Sequence, residues 1–209
     1  SHGNWRTPAR TITPPTIQTL PPTDQAEAAE QAPTRHAAAT APRGLVPIIA
    51  MMSMIGPFTI DTYLPSFPDI AADFEIGLGA MAQTLSVYLL AFAASTLIWG
   101  PLSDALGRRR VAVRAMVLYV AASLGCAMTD SLSQMLLLRF AQGIAASGGI
   151  VIARAVVRDV YDGHQARKAM AQVVMMFALA PAAAPIIGGF LHDAFGWRAV
   201  FQFLALYGL

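Results

Sequence analysis

Charge is scarce in this sequence: 12% of the 209 residues are charged and 56% are hydrophobic, whereas soluble domains carry about a quarter charged residues. That balance excludes an ordinary water-soluble domain, whose single core has no use for repeated apolar runs of bilayer length. Cysteine is nearly absent. The lone Cys126 lies in an apolar run, which excludes an internal disulfide and a cysteine metal centre. The four histidines, His2, His36, His164 and His192, are scattered without metal-ligand spacing. No nucleophile is matched with a base, and no phosphate-cradling loop occurs, so the sequence points to no enzyme, no cofactor, no metal and no nucleic-acid partner.

What is present is apolar length. Residues 1–43 are rich in proline, alanine, threonine and glutamine, have no hydrophobic period, and are expected to form a disordered tail without the core of a secretory signal. From Gly44 onward five runs reach the roughly 20 residues that a bilayer-crossing helix requires. They span about 45–65, 78–102, 111–128, 132–157 and 169–191, and a sixth begins near Ala199. Barrel strands would be about ten residues long and alternate apolar with polar, so the expected fold is an all-α membrane protein. The chain opens at Ser1 and stops at Leu209 inside the sixth run, so both ends are read as truncated.

The basic residues set an orientation. With the tail on the cytoplasmic side, that side receives twelve of the fourteen Lys and Arg residues, in the tail, at 108–114 and at 154–168. The opposite side receives Asp69, Asp73, Glu75, Asp130 and Asp193, with Arg198. A multi-pass protein of the inner, cytoplasmic membrane with its amino terminus inside is expected. Gly196-Trp197-Arg198, just before the sixth run, reads first as an interfacial anchor.

Three places carry polar chemistry. The segment Gly100 to Arg110, GPLSDALGRRR, joins the second and third runs. Gly100 permits close approach, Asp104 is placed to cap or face a helix amino terminus, Gly107 allows a tight turn, and the arginines suit the cytoplasmic interface. In the fourth run, Arg139 and Gln142 lie in LRFAQGIAASGG; an arginine within a span costs about 2.5–3.5 kcal/mol on the insertion scale and should face a cavity or a partner. The first run holds Asp61 in PFTIDTYLPSFPDI, the only acid within any span, with Phe58 on the same broad face. Counting about 1.5 Å per residue places Asp61 and Arg139 at similar depth, where they can pair. Such a pair acts either as a proton switch or as a static bridge between two buried charges. The fifth run, FALAPAAAPIIGG, sets Pro181, Pro185, Gly188 and Gly189 among small residues and reads as a packing face.

These patterns resemble those of one family. Gly100, Leu102, Asp104, Gly107, Arg108 and Arg109 match the G-x-L-x-D-x-x-G-R-R loop of the major facilitator superfamily. Arg139, Gln142 and Gly143 resemble the R-x-x-Q-G of its proton-coupled members, and Ala184 to Gly189 resembles the antiporter motif G-P-x-x-G-G with alanine in the leading place. With IDTYLPSFPDIA, ARAVVRD and GWRAVF, the chain from about Leu45 resembles bicyclomycin-resistance-type multidrug transporters of the drug:proton antiporter branch. The resemblance implies the N-terminal six-helix half of a twelve-helix fold, which exports small compounds against inward proton flow by alternating access. It implies a gating role for Asp104 and Arg108, proton coupling at Arg139, and a missing C-terminal half as partner, without which the 209 residues are not expected to transport. A facilitator for sugars, amino acids or other metabolites and a non-transporting membrane scaffold are the alternatives.

Overall fold

A computed structural model describes residues 44–209, and the expected tail at 1–43 lies outside the described residues. The described residues form seven α-helices: α1 Leu45–Tyr63, α2 Phe67–Asp73, α3 Leu78–Leu106, α4 Arg108–Ala127, α5 Leu132–Val160, α6 Gly163–Phe195 and α7 Trp197–Tyr207. α1 passes through Pro57, and a 3-10 turn at Leu64–Ser66 carries it into α2, so the first span runs from Leu45 to Asp73. Pro65 and Pro68 each sit in a first turn, where the absent N–H is not needed. With α3, α4, α5 and α6 this makes five helices long and apolar enough to cross a membrane.

The helices run beyond the apolar runs from which they were expected. α3 continues past Leu102 to Leu106 with Pro101 inside it, and α4 begins at Arg108, so the segment read as a loop shrinks to Gly107. Gly107 adopts φ +91°, a conformation that favours glycine, and turns the chain at once into the next helix. Gly196 makes the same single-residue corner between α6 and α7 at φ +80°. Helix propensity does not stop at the edge of the hydrocarbon layer, so polar ends such as 163–168 and 192–195 extend the spans on both sides.

The antiparallel order gives the bundle two unlike ends. At one, Arg108 at the start of α4 reaches Asp104 of α3 and Asp159 of α5, the latter at 2.9 Å. At the other, Trp197 Nε1 donates to Asp73 at 2.7 Å, Arg198 pairs with Asp130 at 2.8 Å, and His192 pairs with Asp69 at 2.8 Å. Trp197 is buried, with its ring edge-on to Phe74. The segment Gly196-Trp197-Arg198 therefore ties helix ends together, in place of the expected interfacial anchor.

Packing centres on α5, which contacts α1, α3 and α4. Glycine makes this possible. A Cβ at Gly143 would strike the Tyr88 carbonyl, and one at Gly149 would lie 2.7 Å from the Met52 carbonyl. Trp99 Nε1 donates to the Ile144 carbonyl at 2.8 Å, and Ser95 and Ser147 share a hydroxyl bond at 2.7 Å, which locks α3 to α5. α6 rests on α1 through the four-residue repeat Ala180, Ala184 and Gly188. A Cβ at Gly188 would collide with the Thr62 backbone. Small residues at such a spacing let membrane helices approach closely, where dispersion rather than water exclusion drives association.

Candidate functional site

The functional geometry starts at Arg139, eight residues into α5 and among the largest fully buried side chains. Its guanidinium lies over the ring of Tyr63 from α1 at 4.0 Å and over Tyr88 from α3 at 4.8 Å, with Phe201 of α7 at 5.9 Å. A desolvated cation over an aromatic face gains about 2 kcal/mol, enough to offset much of the cost of an arginine in a span. Nη1 donates to Gln142 Oε1 at 2.7 Å, whereas Nε and Nη2 have no hydrogen-bond partner. The four arginine–carboxylate pairs and the His192–Asp69 contact among the described residues all involve helix ends, and none includes Arg139 or Asp61.

The expected Asp61–Arg139 pair is thus not formed. Their depth was read correctly to within a turn, since Arg139 covers Tyr63, two residues beyond Asp61. The rotation was not: two residues turn an α-helix by about 200°, so α1 presents Tyr63 to the arginine and Asp61 to another side. Asp61 is half-buried and makes no ion pair with any described residue. Phe58 does not line an open cavity beside it. Its ring stacks on Tyr207 at 5.0 Å and leans on Phe203 at 6.2 Å, which uses it to hold α7 against α1.

Polar side chains that the sequence reading passed over complete the buried centre. Gln142 Nε2 donates to Ser123 Oγ at 2.8 Å, Tyr119 and Thr59 share a hydroxyl bond at 2.5 Å, and Tyr63 meets Thr84 at 3.0 Å. Tyr88 donates to the Gly56 carbonyl at 3.1 Å. A signal for them existed: a hydroxyl or phenol within a span needs a partner, and Tyr119, Ser123 and Cys126 fall on one face of α4.

The motif around Gly107 forms a second cluster, at the basic end. Arg108 joins Asp104, Asp159 and Ser103 Oγ, so one guanidinium holds α3, α4 and α5 together. Asp104 therefore faces Arg108 across the corner, one turn away along the chain, while Arg109 and Gly107 are exposed and Gly100 has open space beside it. On α6, Pro181 is exposed and Pro185 half-buried. Gly188 touches α1, but a Cβ added at Gly189 would meet nothing within 4 Å beyond its own helix. No group of three or more potential metal ligands occurs among the described residues.

Residues 49–209 match the Major Facilitator Superfamily. The chain is 36% identical over 163 residues to "Uncharacterized MFS-type transporter YdgK" of Bacillus subtilis. It is 34% identical over 161 residues to "Bicyclomycin resistance protein homolog" of Haemophilus influenzae and 33% identical over 160 residues to "Multidrug resistance protein D" of Escherichia coli. Each alignment covers 77% of this chain and 40 to 41% of the relative, so the chain spans about two fifths of the length of the curated relatives it matches. An all-α bundle with five membrane-length helices, a charged corner at Gly107 and a match over most of its length place the chain in the Major Facilitator Superfamily, a family of membrane transporters and not of enzymes.

Proposed function

We propose that the chain forms the N-terminal half of a proton-coupled exporter of small drug-like compounds, which works by alternating access in the cytoplasmic membrane. The observation that carries this reading is Arg139: a fully buried cation on tyrosine rings, with no carboxylate partner among the described residues and two nitrogens without acceptors. A static bridge would have satisfied it; a buried charge left half-bonded is costly, and the cost is explained by a partner that reaches it at another stage of function. Asp61, on the neighbouring α1 and also without an ion pair, is the group that takes up and releases the proton. The drug-resistance names of the relatives from Haemophilus influenzae and Escherichia coli support the substrate class.

The Arg108 cluster gives the second part of the cycle. With the basic end in the cytoplasm, where lysine and arginine favour it, Asp104 and Arg108 hold the cytoplasmic corner until a C-terminal half engages it. Expression of the whole transporter in a drug-sensitive bacterium tests the reading. Resistance should rise, and ethidium efflux should collapse on addition of an uncoupler. Unchanged accumulation would count against drug export and favour a metabolite facilitator, and absence of substrate-dependent proton movement in liposomes would favour a scaffold.

A further inference from the structure

The hydrogen bonds beside Arg139 form a series in which every proton can be assigned. Thr59 donates to the Ile55 carbonyl at 2.5 Å, so its oxygen accepts from the Tyr119 hydroxyl. Ser123 donates its only proton to the Tyr119 carbonyl at 2.7 Å, so its oxygen can only accept from Gln142. That requirement and the donor-only guanidinium agree on one orientation of the Gln142 amide, with Nε2 toward Ser123 and Oε1 toward Arg139. Without Ser123 the donor-only guanidinium still selects Oε1, but Gln142 Nε2 loses its acceptor and the amide is anchored at one end only. The side chain is then free to swing, and the one side-chain hydrogen bond of Arg139 swings with it.

We propose that Ser123 is a positioning residue for Arg139: by anchoring the Gln142 amide it fixes one edge of the guanidinium and leaves Nε and Nη2 open to an arriving carboxylate. The Tyr119–Thr59 bond fastens this relay to α1, the helix that carries Asp61. Among the described residues, the titratable groups that face Arg139 are Tyr63 from α1, Tyr88 from α3, and Tyr119 and Cys126 from α4; α7 contributes the non-titrating Phe201. None is a carboxylate, so the direction in which the guanidinium is held decides which acid it can meet. The consequence for the pH profile rests on the proton-coupling reading given above; the consequence for the guanidinium does not.

The test uses the whole transporter in lipid nanodiscs and proteoliposomes, with Ser123→Ala and Ser123→Thr. Nitrogen-15 arginine spectra should show the buried Nε–H signal of Arg139 sharp in the parent, exchange-broadened in Ser123→Ala and restored in Ser123→Thr. The pH midpoint of drug efflux should move by at least about half a unit in Ser123→Ala, roughly threefold in proton affinity, and return in Ser123→Thr. An unchanged Arg139 signal in folded Ser123→Ala, or a loss that threonine does not restore, would overturn the proposal. If Ser123→Ala does not fold, Ser123→Cys, whose sulfur is a weak acceptor for the Gln142 amide, carries the same test on the Arg139 signal. Efflux independent of pH in the parent would sink proton coupling alone, while the spectra would still decide the role of Ser123.

Discussion

α5 and α6 are alike in outline, at 29 and 33 residues and both rich in glycine and alanine, yet they are used in opposite ways. In its most apolar window α5 is 61% buried, against 22% for α6, although α6 is the more apolar of the two, with mean hydropathy 2.0 against 1.6. In water the more hydrophobic helix would sit inside. In lipid the ordering reverses, because a hydrocarbon solvent accepts leucine and phenylalanine while polar groups must find partners within the protein. α5 carries Arg139, Gln142 and Ser147 and is enclosed by three other spans. α6 shows Met175, Leu179, Ile186 and Phe190 to the outside and touches α1 along one narrow stripe.

The contrast can be broken at single glycines. Gly143→Leu should have the largest effect, because its side chain must displace the Tyr88 backbone at the centre of the bundle; a loss of about 3 kcal/mol, at the upper end of overpacking costs, would appear as little folded protein in detergent. Gly188→Ala should follow, with a cost of about 1–3 kcal/mol from the clash with the Thr62 backbone. Gly189→Ala reverses the sign: the added Cβ meets nothing within 4 Å beyond its own helix, so it should raise thermal stability by up to about 1 kcal/mol through helix propensity. Equal effects at Gly188 and Gly189 in a melting experiment would mean that α6 does not rest on α1 as described. The smallest change is expected at Asp104→Asn, whose carboxylate is mostly exposed beside Arg108. It should alter stability by less than about 1 kcal/mol, and any larger loss of efflux would be evidence for gating.

Much of this fold was legible beforehand because membrane helices announce themselves by length and by the placement of Lys and Arg. Their ends were less legible. Hydropathy marks where the hydrocarbon layer stops, not where backbone hydrogen bonding stops, which is why α3 runs on to Leu106 and α6 begins at Gly163. At the site, the sequence shows that Arg139 and Asp61 are unusual, since a charge within a span stands out against an apolar background. Their relationship was not readable from depth. Rise along the helix fixes how deep a residue lies, but rotation decides what it meets, and here it brings Tyr63 under the guanidinium and turns Asp61 away. The aromatic cage takes one ring from each of three helices, α1, α3 and α7, so no single stretch of sequence displays it.

The most direct measurement is drug efflux driven by an imposed pH gradient in proteoliposomes that contain the whole transporter, comparing the parent with Arg139→Met. Methionine keeps much of the apolar volume and removes both unpartnered nitrogens, and with them the cost of a half-bonded buried charge. The account predicts a melting temperature equal to or above that of the parent, with gradient-driven efflux lowered at least about tenfold. Efflux retained in Arg139→Met, or efflux lost only because the protein no longer folds, would contradict it.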